Sequence, residues 1–297
     1  MKFLTLENGG LGVLADGLVI DLAVAAGALG TVSPDGSLLE LIKGGDRAAR
    51  AAWELALDAL AQGVAVRPFA EVKPLPPLPA PVRNIFCLGK NYLDHARELR
   101  GKVDKGSEIP EHPIFFTKAS TSVIGPHDPI PGHGHLTDEL DYEAELALII
   151  GKGGRDITAE RAMEHVFGYT ALNDVTARNL QRDHLQWFKG KSLDGFCPMG
   201  PVVVHCTAMP GPGDLAVRSW VNGEPRQSST LDQLIFDIPT IVATLSAGLT
   251  LLPGDIIATG TPGGVGMGFD PPRFLRPGDE VVVEVGDAGR LVNTVGE

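Results

Sequence analysis

Apolar and polar positions along the first twenty residues come in short runs broken by turn signals. Phe3-Leu4-Thr5-Leu6, Leu11-Gly12-Val13-Leu14 and Leu18-Val19-Ile20-Asp21-Leu22 are separated by Glu7-Asn8-Gly9-Gly10 and Ala15-Asp16-Gly17. Asn-Gly and Asp-Gly accept the left-handed backbone of tight hairpins, so this segment predicts strand, turn, strand, turn, strand. From about Leu38 to Leu60 the pattern shifts to Ala, Leu, Glu and Arg at helical spacing, which predicts a helix. Pro74, Pro76, Pro77, Pro79 and Pro81 follow closely. That density forbids a helix or a central strand and predicts an extended linker or sheet edge, with a domain boundary there.

Past the prolines, short β-rich runs alternate with turns. Asn84 to Leu88 predicts a buried strand, Leu93 to Leu99 a short helix, Glu143 to Ile150 a strand, and Ala162 to Thr170 a helix running into a strand. Pro-Gly-Asp occurs at 253–255 and 277–279, each time before a β-branched run, Ile256-Ile257 and Val281-Val282-Val283. Asp237-Ile238-Pro239 reads as a helix start, with Asp237 as the cap and proline in the first turn. No fixed-period repeat, heptad pattern or low-complexity tract interrupts this. The expected class is α+β and β-rich, with a small α/β N-terminal domain over residues 1–75 and a catalytic domain over 76–297.

Composition adds exclusions. At 297 residues, 43% hydrophobic and 21% charged, the chain has an ordinary globular make-up. No apolar run approaches the roughly 20 residues a membrane span needs, and the N-terminus lacks the apolar core of a signal peptide. A net charge of −12 repels phosphate backbones, so no nucleic-acid partner is expected. The same charge requires any site for an anionic substrate to carry its own positive groups. Cys87, Cys197 and Cys206 lie far apart without Cys-x-x-Cys spacing, as free thiols of a reducing cytoplasm would.

The chemistry concentrates in Leu140-Asp141-Tyr142-Glu143-Ala144-Glu145-Leu146. In a strand Glu143 and Glu145 share a face with Ala147 and Ile149, where two carboxylates repel and resist desolvation. A hard divalent cation resolves both costs; two exposed acids on a solvated edge are the simpler reading of the spacing alone. Asp174, ending the apolar segment that contains Val166-Phe167-Gly168-Tyr169-Thr170, tips the balance toward a metal. Three acids without a nearby Cys or His favour Mg²⁺ or Mn²⁺, with Ca²⁺ as a further option, over Zn²⁺. His95 and Glu98 are i and i+3 on the short helix, so a carboxylate can orient an imidazole base, although helix surfaces carry many such neighbours. Lys118 and Lys191 stand beside apolar or small residues and could neutralise a carboxylate or an enolate, or be surface lysines. Gly260-Thr261-Pro262-Gly263-Gly264-Val265-Gly266 lacks the lysine and spacing of a phosphate loop, so no nucleotide or organic cofactor is expected. Its glycines suit close approach to a small anion. His133 and His135 read as loop histidines.

Taken in order, Gly89-Lys90-Asn91-Tyr92-Leu93-Asp94-His95-Ala96-Arg97-Glu98, Lys118-Ala119-Ser120-Thr121, Leu140 to Leu146, Asn173-Asp174-Val175-Thr176-Ala177-Arg178, Lys191-Ser192 with Cys197-Pro198, and Gly260-Thr261-Pro262 resemble the fumarylacetoacetate hydrolase family. The similarity runs from about Arg83 to the C-terminus and points to its smaller acylpyruvate hydrolase and 2-hydroxyhepta-2,4-diene-1,7-dioate isomerase-like branch. It implies a mixed β-roll catalytic domain, dimeric as a rule, after a smaller N-terminal domain. It implies Glu143, Glu145 and Asp174 as metal ligands, His95 and Glu98 as a water-activating dyad on a mobile lid, and Lys191 as the basic group beside them. Lys118, Arg178, Gln181 and Thr261 are implied as substrate contacts. Gly89-Lys90 stands where the family has Gly-Arg or Gly-Leu, which bears on substrate preference. The implied function is hydrolysis of a carbon–carbon bond in a small 2-oxo acid of acylpyruvate type through a metal-stabilised enolate. The alternative is a decarboxylase or isomerase of unsaturated oxo-diacids, or an oxaloacetate decarboxylase.

Overall fold

The computed structural model describes residues 1–34, 36–98 and 109–297. Its main sheet runs, edge to edge, Val66–Pro68, Leu18–Asp21, Leu11–Ala15, Lys2–Thr5, Cys197–His205, Val166–Asn173, Ala144–Ile150, Ile256–Ala258, Ile85–Gly89 and Ile114–Lys118. Neighbours are antiparallel except Ile256–Ala258, which lies parallel to Ile85–Gly89. The hairpins expected at Asn8-Gly9 and Asp16-Gly17 form, and the strand Lys2–Thr5 pairs with Cys197–His205, so the N-terminal strands extend this sheet. The proline-rich stretch lies along its rim: Leu75 N donates to Thr5 O at 3.0 Å, and Thr5 Oγ1 donates to Pro77 O at 2.7 Å.

The long helix spans Leu38–Gln62, capped by Ser37 and ended by Gly63 at φ 66°, with a break at Gly45. Its alanine stripe, Ala49, Ala52, Ala56 and Ala59, is buried at spacings of three and four, where small side chains let a helix lie close to a sheet. A shorter helix, Leu22–Leu29, was not signalled by the sequence pattern. Asp21 caps it, accepting from Ala23 N and Val24 N, but its run is apolar on nearly every side and shows no clear helical period.

A second, four-stranded antiparallel sheet of Glu224–Thr230, Ala216–Val221, Glu280–Val285 and Arg290–Thr294 packs against the first. Leu146, Leu148, Tyr169 and Val204 from one sheet and Val217, Val283 and Val285 from the other fill the space between them. The opposite face of the central strands, with Ala147, Ile149, Phe167 and Val203, meets the N-terminal helices. Ala144–Ile150 is therefore covered on both faces, which explains why its run after Glu145, Leu146 to Ile150, is apolar rather than alternating. Both Pro-Gly-Asp turns close in one way: Asp255 Oδ2 accepts from Leu252 N at 2.7 Å, and Asp279 Oδ2 from Arg276 N at 2.8 Å. Asp237 caps Ile238–Ser246 as expected, accepting from Thr240 N at 2.9 Å. Among the described residues no helix is long and apolar enough to cross a membrane.

Candidate active site

The regular strand begins at Ala144, so Glu143 stands just before it. Asn173 at the end of the neighbouring strand explains the break: its Oδ1 accepts from Glu143 N at 3.0 Å, and Asp174 N donates to Glu143 O at 2.8 Å. These two bonds fix Glu143 and Asp174 side by side. Glu145 is paired across the ladder with Leu172, one turn of the pleat deeper. Oxygen atoms of Glu143, Glu145 and Asp174 lie within 4.8 Å of one another, and all three residues are buried.

Lys191 Nζ donates to Glu143 Oε2 and to Asp174 Oδ2, both at 2.7 Å. Lys118 Nζ, fully buried, donates to Asp174 Oδ1 at 2.5 Å and Val175 O at 3.0 Å. Arg178 bridges Asp141 and Glu143 at 2.8 and 2.7 Å and donates to Gln181 Oε1 at 3.1 Å. Burial alone would raise the Glu143 carboxyl, but Lys191 and Arg178 overcome it and hold the group down at about 2. Glu145 goes the other way. Burial pushes its carboxyl well up, the charges of Asp174 and Glu143 push it further, and its protein partner is the amide of Gly260 at 2.7 Å.

Among the described residues the buried charges of the centre do not balance. Asp141, Glu143, Glu145 and Asp174 carry four negative charges against three positive ones on Lys118, Arg178 and Lys191. An excess buried negative charge is costly unless a proton or a cation relieves it. An all-oxygen donor set with one uncompensated carboxylate fits a hard divalent ion.

The cleft above these acids is lined by Leu88, Gly89, Lys90, His95, Phe116, Glu143, Arg178, Gln181, Trp187, Lys191 and Thr261. His95 is buried and its Nδ1 faces Glu98 Oε2 at 3.5 Å without forming a hydrogen bond to it. Glu98 is itself held by Gly264 N, at 2.9 and 3.1 Å from its two oxygens. Lys191, His95, Arg178, Gln181 and Thr261 thus converge on one cleft. Lys118 does not line it and sits behind the acids as their counter-ion. The Thr261 hydroxyl is already engaged, donating to Ala144 O at 2.9 Å and accepting from Gln227 Nε2 at 2.7 Å. Much of the expected lid, residues 99–108, lies outside the described residues.

Sequence reasoning missed Asp141, Gln227 and Trp187. Asp141 accepts from Gly266 N at 2.6 Å, Met267 N at 2.9 Å and Arg178 Nε, tying the glycine-rich loop to the arginine. Gln227 accepts from Ala144 N and Ser219 Oγ, both at 2.9 Å, and donates to Thr261 and Pro262, clamping that loop to the ligand strand. Asp141 stood in the quoted motif as a third acid of alternating spacing. Gln227 and Trp187 carried no local signal. His133 stays in its loop, its Nε2 3.0 Å from Asp194 O.

A family model described as fumarylacetoacetate (FAA) hydrolase C-terminal matches residues 84–296. The oxaloacetate tautomerase YisK of Bacillus subtilis is 49% identical over 265 residues, covering 88% of this chain and 87% of that one. A fumarylacetoacetate hydrolase from Exiguobacterium antarcticum is 43% identical with a TM-score of 0.83, covering 100% of this chain and 99% of that one. A maleylpyruvate hydrolase from Sphingobium sp. SYK-6, solved with manganese(II) and pyruvate, is 32% identical with a TM-score of 0.77 over 100% of this chain and 99% of that one.

Proposed function

The chain belongs to the fumarylacetoacetate hydrolase family of enzymes, and from that premise we propose that it interconverts the keto and enol forms of short 2-oxo diacids of the oxaloacetate type, using Mg²⁺ or Mn²⁺ on Glu143, Glu145 and Asp174. The observation that carries the reading is Glu145, a buried carboxylate with no cationic partner among the described residues, beside two acids that each have two. A divalent cation on these oxygens supplies Lewis-acid polarisation of a carbonyl. The names of the oxaloacetate tautomerase and of the manganese- and pyruvate-bound hydrolase support the metal and the substrate class.

The protein's own groups then divide the work. Lys191 places a positive charge where an oxyanion develops. Arg178 has no acceptor, so its bond to Gln181 Oε1 fixes which end of that amide faces the guanidinium and leaves the N–H₂ as the group to donate to a substrate oxygen. His95, with Nδ1 toward Glu98, presents Nε2 as the base. It takes a proton from the carbon next to the carbonyl, the C–H electron pair becomes the carbon–carbon double bond, the carbonyl π pair passes to the oxygen, and the proton is delivered to that oxygen. Keto and enol forms differ by this shift alone, so no co-reactant is needed. Hydrogen bonds to a catalytic base are commonly long without ligand and tighten in the complex, as the 3.5 Å separation requires.

The pairing of His95 with an anchored Glu98 also favours a second reading, carbon–carbon hydrolysis of an acylpyruvate, in which His95 takes its proton from water. One assay separates the two. Manganese-loaded protein is given oxaloacetate, followed by the ultraviolet absorbance of the enol and by pyruvate release, and separately an acylpyruvate. Faster keto–enol exchange without pyruvate release supports the first reading. Acylpyruvate cleavage without faster exchange replaces it with the second, and pyruvate release from oxaloacetate marks a decarboxylase.

A further inference from the structure

The lining of the cleft falls into two contiguous groups. Glu143, Arg178, Gln181 and Lys191, joined by ion pairs and a hydrogen bond, form its charged end; Gly89, Phe116 and Trp187, in mutual contact through the indole, form with Leu88 an apolar wall. Trp187 is half-buried and held from three directions. Its ring lies on Gly89 so closely that a Cβ at that position would come within 2.2 Å of Cζ3 and 2.7 Å of Cη2. Position 89 must therefore lack a side chain for the indole to lie there. Phe116 meets the indole edge-on, with ring centroids 5.4 Å apart at 71°. The Trp187 carbonyl accepts from Lys191 N at 3.1 Å, so one helical turn links the aromatic wall to the charged end. Lys191 Nζ also lies 5.3 Å from the centre of the Phe116 ring, so the ammonium and the indole are both neighbours of that one ring.

From this geometry we infer that Trp187 is the stop that sets how long a 2-oxo acid the cleft accepts, selecting acids with a short chain beyond the carbonyl. The inference rests on the cleft being a 2-oxo acid site. The carboxylate and carbonyl of such an acid belong at the charged end, so the rest of its chain points at the indole. The enclosed part of the cleft has water-sized room of only about 20 Å³, which leaves little space past that ring. Gly89 supports the ring, and Phe116 braces it against swinging away. A rigid wall discriminates by about 10-fold or more for each methylene that meets it.

The test uses calorimetry on manganese-loaded wild type, Trp187→Ala and Trp187→Phe, with oxalate, pyruvate and straight-chain 2-oxo acids up to 2-oxooctanoate. Oxalate measures the charged end alone. The expected result is that Trp187→Ala shifts the ratio of 2-oxooctanoate to oxalate affinity by about 10-fold or more in favour of the long acid. Trp187→Phe is expected to keep most of the wild-type cut-off. An unchanged ratio in Trp187→Ala overturns the inference, including the case in which both affinities fall together because the indole is only structural. Failure of the wild type to bind oxalate or pyruvate at all would instead remove the 2-oxo acid reading and this inference with it.

Discussion

Glu145 accepts a hydrogen bond from the amide of Gly260 at 2.7 Å, and that bond depends on the glycine. Gly260 has φ +100°, and a Cβ there would lie 2.7 Å from Asn91 Cβ. Asn91 in turn holds the two flanking segments, donating to Thr259 O at 2.8 Å and Phe236 O at 3.1 Å and accepting from Phe236 N at 2.8 Å. The loop is thus pinned with one N–H aimed at the carboxylate that has no cationic partner among the described residues. One neutral donor orients Glu145 but does not neutralise it.

Stability of the metal-free protein should therefore fall with rising pH above the ordinary carboxylate range. A carboxyl whose pKa is higher folded than unfolded binds its proton more tightly when folded. Its contribution is full below the unfolded value, about 4.3 for glutamate, and is lost as pH rises through the folded one. Burial first, then Asp174 and Glu143, put Glu145 in this class. Glu143 behaves oppositely: held down at about 2, its contribution is present above the unfolded value and is lost as pH falls toward 2. Thermal melts with chelator should show wild type losing stability with rising pH and Glu145→Gln losing less. Parallel pH profiles would remove Glu145 as the source.

His95→Ala should lower turnover by about two to four decades, the usual worth of a positioned base. Binding of oxalate to the manganese-loaded variant should change far less, because Lys191, Arg178 and Gln181 face the cleft independently of His95. Glu98→Gln should fall between wild type and His95→Ala, since it keeps the Gly264 contact but loses the charge. Steady-state rates and oxalate calorimetry separate these effects. A His95→Ala enzyme at the wild-type rate would take the imidazole out of the reaction.

Lys191→Met should destabilise the metal-free protein by about 3–5 kcal/mol, because Glu143 and Asp174 each lose a buried cation. Adding Mn²⁺ should recover a large part of that loss while turnover stays about 100-fold or more below wild type, the scale of a lost oxyanion donor. Denaturant unfolding with and without Mn²⁺ measures the first effect and the assay the second. Equal unfolding midpoints for variant and wild type without metal would show that the paired charges contribute nothing net.

The N-terminal hairpin strands, the strands containing Ile85, Leu146, Ile256 and Val282, the long helix, both Pro-Gly-Asp turns and the three acids could be read from the chain because each rests on local pattern. Hairpin glycines, cap residues and alternation act over a few positions, and Glu143 and Glu145 lie two residues apart. The grouping of Lys118, Arg178 and Lys191 around the acids came from the family resemblance, since their side chains meet only through the tertiary fold. Lys118 shows the limit of that route: as a buried counter-ion of Asp174 rather than a cleft residue, it looks no different in sequence. Gln227 acts across 83 positions on Ala144 N, and nothing beside it marks the role. The helix Leu22–Leu29 was obscured because its apolar residues show no clear period.

The central claim is that a divalent metal ion is held by Glu143, Glu145 and Asp174, and a calorimetric titration of Mn²⁺ tests it most directly. Chelator-treated wild type should bind one equivalent per chain, and Glu145→Gln should lose that binding while its circular dichroism stays that of the wild type. Glu145 is the informative position because no ammonium or guanidinium group among the described residues contacts it, so its replacement breaks no ion pair. Stoichiometric Mn²⁺ binding by Glu145→Gln with wild-type affinity, or none by the wild type, would contradict the claim.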